Sequence, residues 1–223
     1  MNKINIGSTS LWNSILLFSV VFTAFVVPIL PVYLHRITFS AVYTAIYISA
    51  IFSLEKRSKS IVILFVTTII MQWVSAIFNF ELLNDISKGL SILFFLLVVF
   101  SLIRQIAFAK QVSAGVILGS LTGYLLIGIV YSVFIFFIIR TVPGAYTSQM
   151  DETITGAHID ASPPLYYTYI TLASVGYGDI VPLKPISRSL ATMMAVSGQF
   201  YIAVIVALLV GKFSSRGSSK QEV

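Results

Sequence analysis

Long apolar runs, broken at intervals by short clusters of charge, set the pattern of this chain. The charge-free runs are Leu11 to Leu34, Ile37 to Leu54, Ile61 to Phe80, Gly89 to Ile103, Gln111 to Ile139 and Ser189 to Gly211. An α-helix that crosses the hydrocarbon core of a membrane needs about 20 mainly apolar residues. All but the fourth run meet that need, and the fourth is predicted to continue past Arg104, whose stem can lie in the apolar layer while its head reaches water. Pro28 and Pro31 predict a kink or an end in the first helix, with Tyr33 to Arg36 as a tight connection to the second. The expected fold is an all-α membrane protein with six transmembrane helices.

Composition strengthens this picture. Of 223 residues, 57% are hydrophobic and only 10% charged, too little polar surface for a water-facing domain of this size. The formal charge of +6 sits in clusters between apolar runs, the pattern of cytoplasmic loops, so nucleic acid is not an expected partner and membrane lipid is. Without cysteine the chain has no disulfide, thiol chemistry or thiolate metal site. The first run is long for the apolar part of a secretory signal and lacks an A-x-A-like cleavage site.

Lysine and arginine set the expected orientation. With the N-terminus inside, Lys3, Lys56, Arg57, Lys59, Arg104, Lys110, Lys212, Arg216 and Lys220 face the cytoplasm, against Arg36, Lys88, Arg140, Lys184 and Arg188 outside. That bias places both termini in the cytoplasm of a multi-pass protein of the cell membrane.

Between the last two runs, Ser162-Pro163-Pro164 opens a modest apolar stretch ending near Ala173. Serine suits a helix N-cap and proline its first turn, so a helix from Pro164 to about Ala173 is predicted. It is roughly half the length needed to cross, so it should enter the membrane and turn back, and irregular backbone at that depth must line a cavity. The following residues, Thr171-Leu172-Ala173-Ser174-Val175-Gly176-Tyr177-Gly178-Asp179, alternate side-chain-bearing positions with glycines that reach positive φ without a Cβ penalty. Such a strand can turn successive carbonyls toward one axis, where they replace the hydration shell of an ion.

This segment resembles the potassium-channel signature T-x-x-T-V-G-Y-G-D, and residues 112–213 resemble a bacterial-type potassium-channel pore domain. The resemblance implies a re-entrant pore helix and a selectivity filter, Ser174, Val175, Gly176, Tyr177 and Gly178, with K+ held at Ser174 to Tyr177, no cofactor, and a homotetramer around one axis. Ser174 stands where the family more often has threonine, and Ala173 where another threonine is common. Tyr177 is expected to brace the filter against the short helix and favours potassium over a mixed cation pore. Tyr166 and Tyr167 occupy the places of an aromatic pair that supports the filter, with Asp179 as hydrogen-bond partner of Tyr166; interfacial tyrosine is the alternative. Gly198 aligns with a gating hinge, or else serves close helix packing. Gln199, Ile202 and Val206 share one helical stripe that could line the cavity.

The expected organisation is a four-helix region over residues 1–111, the pore domain over 112–213 and a short cytoplasmic tail over 214–223. The fourth span carries Lys88 and Arg104 only near its ends, not the recurring charges of a voltage sensor, each worth about 2.3 kcal/mol per 100 mV. Weak or absent voltage dependence follows. Gly115, Gly119 and Gly123 form two G-x-x-x-G steps for close helix approach. Asp151, Glu152 and Asp160 could concentrate cations in the outer loop, and His158 could sense pH. Competing functions are a non-selective cation channel, a transporter, and an intramembrane aspartyl protease built on Gly176-Tyr177-Gly178-Asp179. The protease needs a second membrane-embedded aspartate, and Asp85, Asp151 and Asp160 are all expected in loops. No metalloprotease, nucleophile-elbow or phosphate-loop motif is present, so an enzyme is not expected.

Overall fold

A computed structural model of the protein describes residues 6–54, 59–78, 80–109, 112–148 and 161–218. His158, Asp151, Glu152 and Asp160 lie outside the described residues, as does Gln111 at the expected start of the fifth run. The chain is an all-α membrane protein in which six helices are long and apolar enough to cross a bilayer. They belong to α1 (Ile6–Val21), α2 (Val32–Ser53), α3 (Lys59–Phe78), α4 (Glu81–Phe108), α5 (Ala114–Thr141) and α7 (Pro185–Ser218), with the short α6 (Ser162–Leu172) before the last.

Proline shapes the first connection as expected, but not where expected. Pro28 has no N–H to give the carbonyl four residues back, and the α-helical ladder loosens ahead of it. A π turn (Phe22–Val26), closed by the Val27 N–H reaching the Phe22 carbonyl, passes into a 3₁₀ turn (Val27–Ile29). Pro31, at φ −57, then stands directly before α2. The connection is therefore Leu30 and Pro31, and Tyr33 to Arg36 form the first turns of α2 instead of a loop.

The fourth span is extended at both ends, not only beyond Arg104. α4 has 28 residues, about 42 Å of helix, more than the apolar core requires. Its charged positions find partners that make this tolerable. The Lys88 ammonium sits 3.3 Å from the centroid of the Phe136 ring on α5. Asp85, expected in a loop, is instead in the second turn of α4 and accepts a 2.8 Å bond from Arg140 at the end of α5. α7 likewise runs on to Ser218, so residues 214–218 continue the last helix and only 219–223 fall outside the described residues.

α5 is the central post, contacted by α1, α4, α6 and α7. One apolar cluster joins Leu16 and Val20 of α1, Ile46 and Tyr47 of α2, Phe94 and Phe95 of α4, Leu126 and Ile129 of α5 and Leu165 of α6. The Tyr47 ring stacks on Phe95 at 5.2 Å and meets Phe94 edge-on at 5.1 Å. Because lipid tails are as apolar as these side chains, such packing stabilises through dispersion and fit more than through removal from water. Several polar groups inside find partners within the chain, as a bilayer demands. Tyr47 shares a hydrogen bond with Ser91, Ser53 donates to Asn13, and Asn13 donates to the Gly115 carbonyl at 3.3 Å. Thr44, Thr68 and Thr122 return their hydroxyls to carbonyls one turn back.

The glycines of α5 do not define one helix pair. A Cβ at Gly115 would meet Asn13 of α1 at 3.6 Å, one at Gly119 would meet Leu102 of α4 at 3.7 Å, and one at Gly123 would meet the Tyr201 hydroxyl of α7 at 2.3 Å. Three helices of the same chain thus share this face, and of these three glycines Gly123 is the crowded one. Beyond α5 the chain turns at Val142-Pro143-Gly144-Ala145, where Pro143 precedes Gly144 at φ 69 and the Ala145 N–H returns to the Val142 carbonyl, a type II turn. β1 (Tyr146–Ser148) follows and pairs antiparallel with β2 (Ile180–Pro182), Thr147 opposite Val181. This ribbon was not expected from the sequence.

Candidate functional site

α6 has 11 residues, about 16 Å of helix, and cannot cross. Its start differs from the expectation at Ser162. The residue before the helix is Ala161, Ser162 is the first helical residue, and its buried hydroxyl has no hydrogen-bond partner, so it does not cap. Pro163 still takes the first turn, where no N–H is missed. α6 is wedged against α5 by Tyr169, whose hydroxyl donates to the Leu125 carbonyl at 2.8 Å and whose ring lies where a Cβ at Gly128 would stand, 2.3 Å away. Gly128 lies outside the G-x-x-x-G steps, so spacing alone did not single it out.

The helix ends in a tight sequence of backbone bonds. Ala173 N–H donates to the Tyr169 carbonyl, Ser174 to Thr171, and both Val175 and Gly176 to Ile170. These bonds swing the chain back along the end of α6. Ser174 is at φ 58, Gly176 at φ 56 and Gly178 at φ 79, and Ser174 alone among the described non-glycine residues has positive φ. Positive φ at every second residue, with Val175 and Tyr177 between them on the ordinary side, is the alternation that turns successive N–H groups to one side and carbonyls to the other. A left-handed serine costs about 1–2 kcal/mol, so its geometry must be imposed by its surroundings.

Two contacts tether the strip at its ends. The Gln199 Nε2 of α7 donates to Ser174 Oγ at 3.0 Å. At the other end, Asp179 accepts from the Tyr166 hydroxyl at 2.5 Å and from the Ile180 N–H at 3.0 Å, joining the strip to both α6 and β2. The Asp179 bond pushes the Tyr166 hydroxyl up to about 12, so it stays protonated, and the bond stays made from the tyrosine side, until pH rises through that value. Tyr167 is buried and meets Tyr146 of β1 edge-on at 5.4 Å, and burial raises both hydroxyls. The start of β1 is tied in turn to α7 by Ser187, which donates to the Ala145 carbonyl at 2.7 Å.

Within one chain the strip from Ala173 to Gly178 is exposed. Tyr177 is 72% exposed within one chain. α7 presents two faces. Met194, Gly198 and Ile205 are buried against the chain, while Gln199, Ile202 and Val206 are exposed. Gly198 lies at a point of close approach: a Cβ there would stand 2.3 Å from the Leu172 carbonyl oxygen at the end of α6, and α7 continues through it without a break. The two carboxylates of the protease alternative have separate partners, Arg140 for Asp85 and Tyr166 for Asp179.

Several contacts were not anticipated. Tyr131 and Ser197 share a 3.0 Å bond between α5 and α7, and Tyr201 donates to the Ser120 carbonyl at 2.7 Å. Lys212 donates to the Ile106 carbonyl and, at 3.0 Å, to that of Ala107, at the end of α4. The tyrosines and serines on facing helices were the available signal. Neither a curated protein nor a solved structure matches the chain. Residues 121–215, which run from within α5 through α6 and the strip into α7, match the model of a family described as ion channel.

Proposed function

We propose that the chain is one subunit of a potassium-selective channel, in which four copies surround an axis and each contributes Ser174 to Gly178 to the filter. The observation that carries this reading is the alternation of positive φ at Ser174, Gly176 and Gly178 directly after a helix too short to cross. An ion leaves water only where oxygens replace its hydration shell, and a strip with carbonyls turned to one side offers a column of them. One strip cannot enclose an ion. Its exposure in a single chain supports assembly, since backbone at membrane depth must be covered by protein or line water. Val175, 52% exposed, and Tyr177 would then pack against neighbouring copies.

The rest of the site takes roles consistent with this reading. Tyr166, Tyr167 and Asp179 hold the outer end, and Gln199, Ile202 and Val206 line the inner cavity. The C-terminal end of α6, with its partial negative charge, favours a cation there. Gly198 allows α7 to lie against the end of α6 and is also the position where bending would cost least. The termini are cytoplasmic, and opening depends weakly or not at all on voltage.

Ion flux into liposomes holding the purified protein tests the reading. Potassium-driven flux that sodium cannot replace is expected, and Gly178→Ala should abolish it while leaving assembly intact, because alanine is strained at φ 79. Equal sodium flux would replace potassium selectivity with a mixed cation pore. Undiminished flux in Gly178→Ala would remove Gly178 from the filter.

A further inference from the structure

The proposed filter begins with a residue that cannot hold its own side chain in place. Serine has three staggered χ1 wells and no branch at Cβ to choose among them, unlike threonine, whose methyl stiffens χ1. Ser174 is also exposed within the chain and at positive φ, so no packing from its own subunit fixes the hydroxyl. An oxygen that is to coordinate an ion must nevertheless stay aimed at the axis.

The Gln199 side chain reaches that hydroxyl. Its amide nitrogen donates to Ser174 Oγ at 3.0 Å, across 25 residues of sequence and between the strip and α7. A hydroxyl has one proton and two lone pairs. The amide takes one lone pair, fixes the direction of the other, and leaves the proton free to turn from an approaching cation. The reach depends on the preceding residue. At Gly198 the absence of a side chain lets α7 lie against the Leu172 carbonyl, and that close approach brings the next residue within bonding distance of Ser174.

We infer that Gln199 is the positioning residue of the innermost cation site, orienting the Ser174 hydroxyl by a hydrogen bond that does for serine what a β-methyl does for threonine. The inference rests on the potassium-channel reading of Ser174 to Gly178. It gives Gln199 a task distinct from lining the cavity, because its effect should vanish when residue 174 can orient itself.

Block by Ba²⁺, a doubly charged cation close to K+ in size, reports on the oxygen field of the site where it stalls. We would measure cytoplasmic Ba²⁺ block in planar bilayers for wild type, Gln199→Leu, Ser174→Thr and the double variant, with Gln199→Asn as a donor one methylene too short. Gln199→Leu and Gln199→Asn should each still conduct K+ and bind Ba²⁺ about threefold to tenfold more weakly, the worth of one neutral hydrogen bond. Ser174→Thr should raise the affinity by a larger factor in the Gln199→Leu background than in wild type, a coupling that additive roles would not produce. Should Gln199→Leu fail to assemble, Gln199→Asn carries the same comparison. Unchanged block in both Gln199 variants would overturn the inference, and so would a loss that Ser174→Thr does not rescue, which would assign Gln199 to the cavity field. A wild type passing sodium as readily as potassium would overturn the underlying reading instead.

Discussion

α5 and α7 are nearly indistinguishable as sequences of apolar residues, yet they live in different surroundings. Each contributes a 28-residue segment of similar hydropathy, but in an 18-residue apolar window of each, 56% of the α5 residues are buried within the chain against 22% of the α7 residues. α5 is enclosed by four helices, whereas α7 meets its own chain along the stripe through Met194, Gly198 and Ile205 and leaves the opposite face open. α3 is open as well, but its exposed face is plain apolar surface of the kind lipid covers, Ile63, Val66 and Ile70 among it. The open face of α7 carries Gln199 beside the exposed strip at Ser174. Hydropathy says that a helix is in the membrane and nothing about whether lipid, its own chain or another copy lies against it. Polar contacts and required glycines carry that information.

The same glycine-to-alanine change at two points of α7 should divide the two faces most sharply. Gly198→Ala drives a methyl into the Leu172 backbone carbonyl, which cannot move aside without shifting α6 and the strip that follows it. Flux is expected to fall at least tenfold, with an oligomer that melts several degrees lower. Gly211→Ala meets nothing within 4 Å and should be neutral or stabilising by up to about 1 kcal/mol through helix propensity. Equal tolerance at both sites would mean that α7 does not lie against α6 as described.

Truncating a buried α5 residue and an exposed α7 residue sharpens the contrast further. Ile129 is fully buried, and Ile129→Ala should destabilise the individual chain by about 2–4 kcal/mol, read by denaturation of the dissociated subunit. Phe200 is 67% exposed, and Phe200→Ala should leave the subunit unchanged while weakening association of copies, read by native mass spectrometry. A smaller effect is expected where Lys212 caps the last carbonyls of α4. Lys212→Met should loosen the last turn of α4 by about 1 kcal/mol, visible as faster amide exchange there. Smallest of all, Asp85→Asn removes a partly exposed ion pair and should cost about 0.5 kcal/mol in thermal melts.

Much of the frame was legible because it rests on length and local chemistry. The six spans follow from apolar runs, and the short helix follows from Pro163, Pro164 and the brevity of the stretch after them. Gly176 and Gly178 were marked by their need for positive φ. What escaped depended on tertiary partners. Asp85 reads as a loop residue until Arg140 is brought beside it, since a paired charge can lie in a helix that an isolated charge would shorten. Ser162 reads as a cap, yet the turn of backbone at Ala161 places it inside the helix. The ribbon of β1 and β2 is only three residues per strand and exists because the turn at Gly144 and the residues after Asp179 meet. Gly128 and Gly198 are ordinary helix glycines in one dimension and become necessary only when Tyr169 and Leu172 press on them. The positive φ at Ser174 could not be read from a residue that normally avoids it.

The central claim is that the exposed strip and the open face of α7 are completed by further copies into a pore that passes potassium. Its most direct test is the reversal potential of the purified protein in a planar bilayer with potassium on one side and sodium on the other. The expected result is a current that reverses far from zero, with the sign of potassium leaving its own side, in the wild type and no current in Gly178→Ala. Reversal at zero, or equal currents in both proteins, would contradict it.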